Sequence, residues 1–137
     1  MVLSNPDACA QTDILVVEAD VAVGESMETL FKTAGYTVSV VHDTHSAEAA
    51  VRSCLPLCLV IAAELTPNSG VDWLSTQRKL GVAIPAIVIA SRGDVPTAVA
   101  AMRAGASDFL EKPLIDARLL QSVRRIMSNS GSQVKAN

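Results

Sequence analysis

The side chains of this chain that could do ionic chemistry sit in short segments, each directly after an apolar run. Glu18 and Asp20 flank Ala19, Glu64 follows Ala62-Ala63, Ser91 follows Ala90, and Lys112 precedes Pro113. A lysine ammonium among packed elements needs an anion, so Glu18 or Glu64 is expected beside Lys112. Asp20 stands where a carboxylate can accept the free N–H groups that open a helix. Other chemistries lack their residues. Glu18-Ala-Asp-Val-Ala-Val-Gly24 holds one glycine, so neither a GxGxxG nor a Walker-type phosphate loop follows the first run. No nucleophile–base pair is visible, and an enzyme is not expected. His42 and His45 are expected to be solvated and away from these segments. Cys54 and Cys58 have no histidine or further cysteine nearby. With Cys9 they make an odd number, so reduced thiols are expected rather than a metal site or disulfide framework.

The elements that must position these residues follow from periodicity. Five short runs rich in β-branched residues read as strands: 14–17, 37–41, 57–62, 86–90 and 108–111. Three of them are apolar throughout, as in strands covered on both faces of a parallel sheet. The intervals carry helical spacing, such as Val23, Met27, Leu30, Phe31 and Ala34 before Gly35. Asp94 and Pro96 open a fourth helix, with Val99 and Met102 expected to face inward. Leu119, Leu120, Val123, Ile126 and Met127 share a face of the fifth. The alternation predicts an α/β fold, a flavodoxin-like (βα)5 doubly wound parallel sheet in strand order 2-1-3-4-5. The ligand crevice of such a sheet lies at the carboxyl ends of its strands, where the ionic segments fall.

Composition sets the outer bounds. The chain has 137 residues, enough for one domain with a real core. Half of them are hydrophobic and 18% charged, which excludes a disordered chain. The net charge of −3 argues against direct nucleic-acid binding, although residues 112–137 carry 5 basic and 1 acidic side chains. No apolar run is long enough to span a membrane and no signal peptide is visible, so a cytoplasmic location is expected. We divide the chain into an N-terminal extension (1–11), one domain (12–128) and a polar tail (129–137).

The run from Ile84 to Leu114 contains Gly93-Asp-Val-Pro96, then Ala101-Met-Arg-Ala-Gly-Ala-Ser-Asp-Phe-Leu-Glu-Lys-Pro113. On these motifs residues 12–128 resemble the receiver domain of two-component response regulators. The resemblance implies phosphorelay signalling. A histidine kinase donates a phosphoryl group to an aspartate after strand 3. Acidic residues after strand 1 hold Mg²⁺, a lysine after strand 5 pairs with the phosphoryl group, and a hydroxyl ends strand 4. It also implies a cis Lys112–Pro113 bond, and Phe109 at the aromatic switch position.

This sequence departs from that pattern. The first acidic position is Glu18, but the second is Ala19. The phosphoacceptor position is Ala63, or Ala62 when counted back from Gly70, and the hydroxyl position is Ala90. Lys112 is kept. A methyl group cannot attack phosphorus, so no catalytic residue and no metal site are expected, with Mg²⁺ binding weak or lost. Glu18, Asp20, Glu64 and Lys112 remain as candidate binding residues, with Glu64 a possible fixed stand-in for the missing charge. Ala90 and Phe109 fill the switch positions. Strand alternation aims Ser91 away from the place of the lost hydroxyl. The leading expectation is a degenerate receiver, or pseudo-receiver, that signals through protein contacts without phosphorylation. Its partners would be a histidine kinase or an output domain, with homodimerisation through helix 4, strand 5 and helix 5. The alternative is a sensor that takes a small ligand or anion in the vacated crevice.

Overall fold

A computed structural model describes residues 12–91 and 94–136, with side chains through residue 129. Strands β1 (Ile14–Val17), β2 (Val38–Val41), β3 (Cys58–Ala62), β4 (Ala86–Ala90) and β5 (Asp108–Glu111) alternate with five helices. These are α1 (Val21–Thr33), α2 (Thr44–Ser53), α3 (Gly70–Lys79), α4 (Val95–Arg103) and α5 (Asp116–Ala136). All the strand pairings are parallel, and the order is β2-β1-β3-β4-β5, as the sequence predicts.

Every residue of β1, β3 and β4 is buried, which is what continuous apolar runs require between two helical layers. In edge strand β2 only Ser39 is exposed, and Val38, Val40 and Val41 are partly buried. The core is mostly aliphatic, with Phe31 and Trp73 its aromatic members; fully burying each side chain such as Ile14, Ile61 or Leu119 contributes ~1.5–3 kcal/mol. Asp20 caps α1 by accepting from the Val23 N–H, and Asp94 caps α4 by accepting from the Thr97 N–H. Gly35 ends the turn after α1 at φ +100°, a region side-chain-bearing residues avoid.

Four expectations change. Helix α4 is turned so that Ala101 and Ala104 are buried, while Val99 and Met102 are 43% and 51% exposed. Val95, Val99 and Met102 form one apolar stripe at i, i+4, i+7. Ala98, Ala101 and Ala104 form another, whose small side chains bring the helix close to the sheet. Helix α5 runs on to Ala136, through the boundary expected at residue 128. Cys54 is disulfide-bonded, so the reduced-thiol reading holds for Cys58 alone among the described residues. Burial pushes the Cys58 thiol up to about 12. His42 is not remote from the crevice, as its contact below establishes. The N-terminal extension and Cys9 lie outside the described residues.

Candidate functional site at the carboxyl ends of the strands

Register decides which residues meet. Val17 pairs with Ile61, Ala62 with Ile89, and Ala90 with Glu111. One step beyond the strands, Ala63 is level with Ala90, and its N–H donates to the Ile89 carbonyl at 2.7 Å. The next row aligns Glu64, Ser91 and Lys112, and the Lys112 N–H donates to the Ala90 carbonyl at 2.8 Å. Parallel pairing thus gathers the four sequence-distant segments at one end of the sheet.

Where the residues after β1 and β5 meet across the crevice, the site is ionic. Glu18 is 2% exposed, and its Oε1 lies 2.8 Å from the Lys112 Nζ. The contact is an ion pair rather than an aligned hydrogen bond, because Oε1 has no hydrogen-bond partner of acceptable angle among the described residues. The other oxygen, Oε2, accepts from the Asp20 N–H at 2.9 Å. The Glu18 carbonyl meets His42 Nδ1 at 2.9 Å. This corrects the expectation that His42 stands apart from the crevice: β2 is hydrogen-bonded to β1, so the residue after β2 arrives beside the residue after β1. The Asp20 carboxylate turns to the start of α1.

On the β3–β4 side the site is made of methyl groups. Ala62 and Ala90 are fully buried and Ala63 nearly so. Both positions compared for the acceptor, 62 and 63, are therefore apolar. Glu64 is exposed, and it does not take Lys112. Both of its carboxylate oxygens lie 3.2 Å from the Ser91 N–H. Sequence reasoning missed that partner, although the register rows above would have placed Glu64 beside Ser91. It also missed Thr44, which is 2% exposed. The Thr44 N–H and Oγ1 both donate to the Thr66 carbonyl, at 2.9 and 3.1 Å, and pin the loop after β3. Gly70 closes that loop: its N–H donates to the Ala63 carbonyl at 2.9 Å. A β-carbon there would run into the Ala62 carbonyl oxygen. Both Thr66–Pro67 and Lys112–Pro113 are cis.

A divalent cation fits this arrangement poorly. Glu18 has one oxygen committed to an ammonium and the other to a backbone amide, and Ala19 offers no side-chain ligand. Asp20 already serves a helix N-terminus. A Mg²⁺ site uses carboxylate oxygens that are free to face the ion.

Beside the crevice, a groove of about 430 Å³ runs between α4, β5 and the start of α5. Val95, Val99, Phe109, Leu114 and Ile115 line it. Val95 and Ile115 are 73% and 63% exposed.

With the geometry in hand, comparison with known proteins is direct. The family profile of the response regulator receiver domain matches residues 14–124. Nodulation protein W of Bradyrhizobium diazoefficiens is 36% identical over 122 residues, covering 87% of this chain and 52% of that protein. The transcriptional regulatory protein FixJ of Azorhizobium caulinodans is 36% identical over 121 residues, covering 86% and 56%. The chain thus spans about half the length of these relatives. Among solved structures, the receiver domain of NtrX from Brucella abortus matches with a TM-score of 0.79 at 30% identity, covering 85% of this chain and 98% of that one. A CheY-like receiver from Methanospirillum hungatei has a TM-score of 0.83 at 19% identity, covering 90% and 99%, a likeness of fold. Among the described residues no helix is long and apolar enough to cross a membrane.

Proposed function

The chain belongs to the response regulator receiver domain family, and from that premise we propose that it is a pseudo-receiver, signalling by protein contact without an aspartyl phosphate. The observation that carries this reading is Ala63. It follows β3 directly, at the level of Ala90 and one row from Lys112, and it presents a methyl group. A carboxylate nucleophile is what acyl-phosphate formation requires, and none is supplied at 62 or 63. Lys112, the cation that would meet a phosphoryl group, is already neutralised by Glu18.

The partners are proteins of a two-component pathway, and the docking surface is the α4–β5–α5 face. Its outward stripe of Val95, Val99 and Met102 leaves apolar surface that the fold does not cover. A second copy of this chain is the simplest occupant, since such a face can pair with itself about a two-fold axis. Light scattering would then report a dimer that Val99→Asp converts to monomer.

The reading is tested by incubating the protein with acetyl phosphate and Mg²⁺ and recording its intact mass. No adduct is expected. A stoichiometric gain of about 80 Da, the mass of one phosphoryl group, that is lost in hydroxylamine would sink the proposal. Ala19→Asp combined with Ala63→Asp restores the missing carboxylates and is expected to gain that adduct.

A further inference from the structure

We propose that Glu64 is a built-in anionic strap, which holds the start of the β4–α4 connection to the loop after β3 and so sets the position of helix α4. The inference rests on the pseudo-receiver reading and names how such a domain would be held in one state.

Three observations carry it. First, the Glu64 carboxylate straddles a single backbone donor, the Ser91 N–H, with both oxygens at 3.2 Å. A charged acceptor makes a stronger bond to an amide than a neutral one. Second, the loop presenting Glu64 is anchored on its other flank. The Thr66 carbonyl takes two bonds from buried Thr44, and the Asn68 N–H reaches the Thr44 Oγ1 at 3.4 Å. The Gly70 N–H also ties back to Ala63. A carboxylate on a fixed loop can position what it binds; one on a loose loop follows it. Third, the strapped amide lies three residues before Asp94, the cap of α4. Helix α4 buries only alanines against the sheet and carries exposed Val95 and Val99, which line the groove. Side chains this small hold a helix to the sheet less firmly than larger ones would.

Backbone amide hydrogen exchange followed by NMR on the whole chain reads this directly. In Glu64→Ala the Ser91 amide is expected to exchange roughly five-fold faster, the factor that losing one ordinary hydrogen bond gives. Amides of Val16 and Val60, deep in the sheet, serve as the reference and keep their rates, which also certifies the fold. Glu64→Gln keeps a neutral acceptor and is expected to fall between. Resonances of Val95, Val99 and Ile115 are expected to move in Glu64→Ala. An unchanged Ser91 rate, or shifts confined to residues 63–65 and 91, would overturn the strap. Neither result depends on the acetyl phosphate experiment: a phosphorylated wild type counts against the pseudo-receiver reading, whereas a silent Ser91 counts against the strap alone.

Discussion

The two halves of the crevice differ in kind. On the β1–β5 side, charge is present and internally cancelled, since buried Glu18 faces Lys112 at 2.8 Å. After β3 and β4, positions 62, 63 and 90 hold methyl groups, and the carboxylate of Glu64 points to a backbone amide. A site built to bind an incoming phosphoryl group would need the opposite arrangement, a cation awaiting its anion and a nucleophile facing it. The contrast teaches that Lys112 here is committed to a buried carboxylate. Lys112 can be retained because removing it would strand Glu18.

That statement is open to direct attack. Lys112→Met leaves a carboxylate that is 2% exposed without its cation, and breaking a buried pair from one side costs about 3–4 kcal/mol. The reverse change, Glu18→Gln, leaves an ammonium on a flexible stem that is 20% exposed and can turn to water. The new amide oxygen can still accept from the Asp20 N–H, so about 1 kcal/mol is expected. Urea unfolding of the two variants measures the asymmetry. Equal losses would mean that the pair is not the one-sided burial described above.

A smaller effect separates capping from metal binding on the same side. Asp20→Ala removes the acceptor for the Val23 N–H and is expected to cost about 1 kcal/mol. Asp20→Asn, an equally good cap, should stay within about 0.3 kcal/mol of the parent in the absence and presence of Mg²⁺. If Mg²⁺ stabilises the parent and Asp20→Asn abolishes that gain, Asp20 is a ligand, and the β1–β5 half is less closed than its hydrogen bonds imply.

Why the ionic half was legible and the methyl half only partly so has a physical basis. Glu18, Asp20 and Lys112 each carry an unmet requirement in the sequence, a charge needing a partner or a helix start needing an acceptor, and the strand order supplies the answer. Alanine at 19, 63 and 90 was also plain in the sequence, and the family motifs give those positions their interest by spacing. Glu64 was not resolved, because an exposed acid can satisfy itself with water, an ammonium or an amide, and the register puts both Ser91 and Lys112 in its row. Helix α4 misled for another reason. Two stripes satisfy the same period, and reading by size selects Val99 and Met102, whereas close approach to the sheet selects the alanines. His42 was misplaced because its contact runs between adjacent parallel strands rather than along the chain.

Away from the crevice, a fourth carboxylate gives the scale for the smallest effect. Glu48 on α2 accepts from Trp73 Nε1 at 3.1 Å, Gln77 Nε2 at 2.7 Å and Arg52 Nε at 2.9 Å. Burial pushes its carboxyl up, but these three bonds outweigh burial and hold it below the ordinary value of 4.5. A carboxyl depressed in the folded state binds fewer protons there than in the unfolded chain. Its contribution is therefore full above 4.5 and is lost as the pH falls through the depressed value. Trp73 is the only tryptophan and touches Glu48 directly, so its fluorescence reports both unfolding and the local loss of this bond. In Glu48→Gln the acid limb of stability against pH should be shallower than in the parent. Asp43, which the Ser46 backbone N–H also holds low, is common to both proteins and cancels in the difference. Two superimposable acid limbs would show that an acid met by three donors at the surface adds nothing to stability. The ordering of the larger effects, in which burial rather than the count of contacts decides the cost of losing a partner, would then be all the sharper.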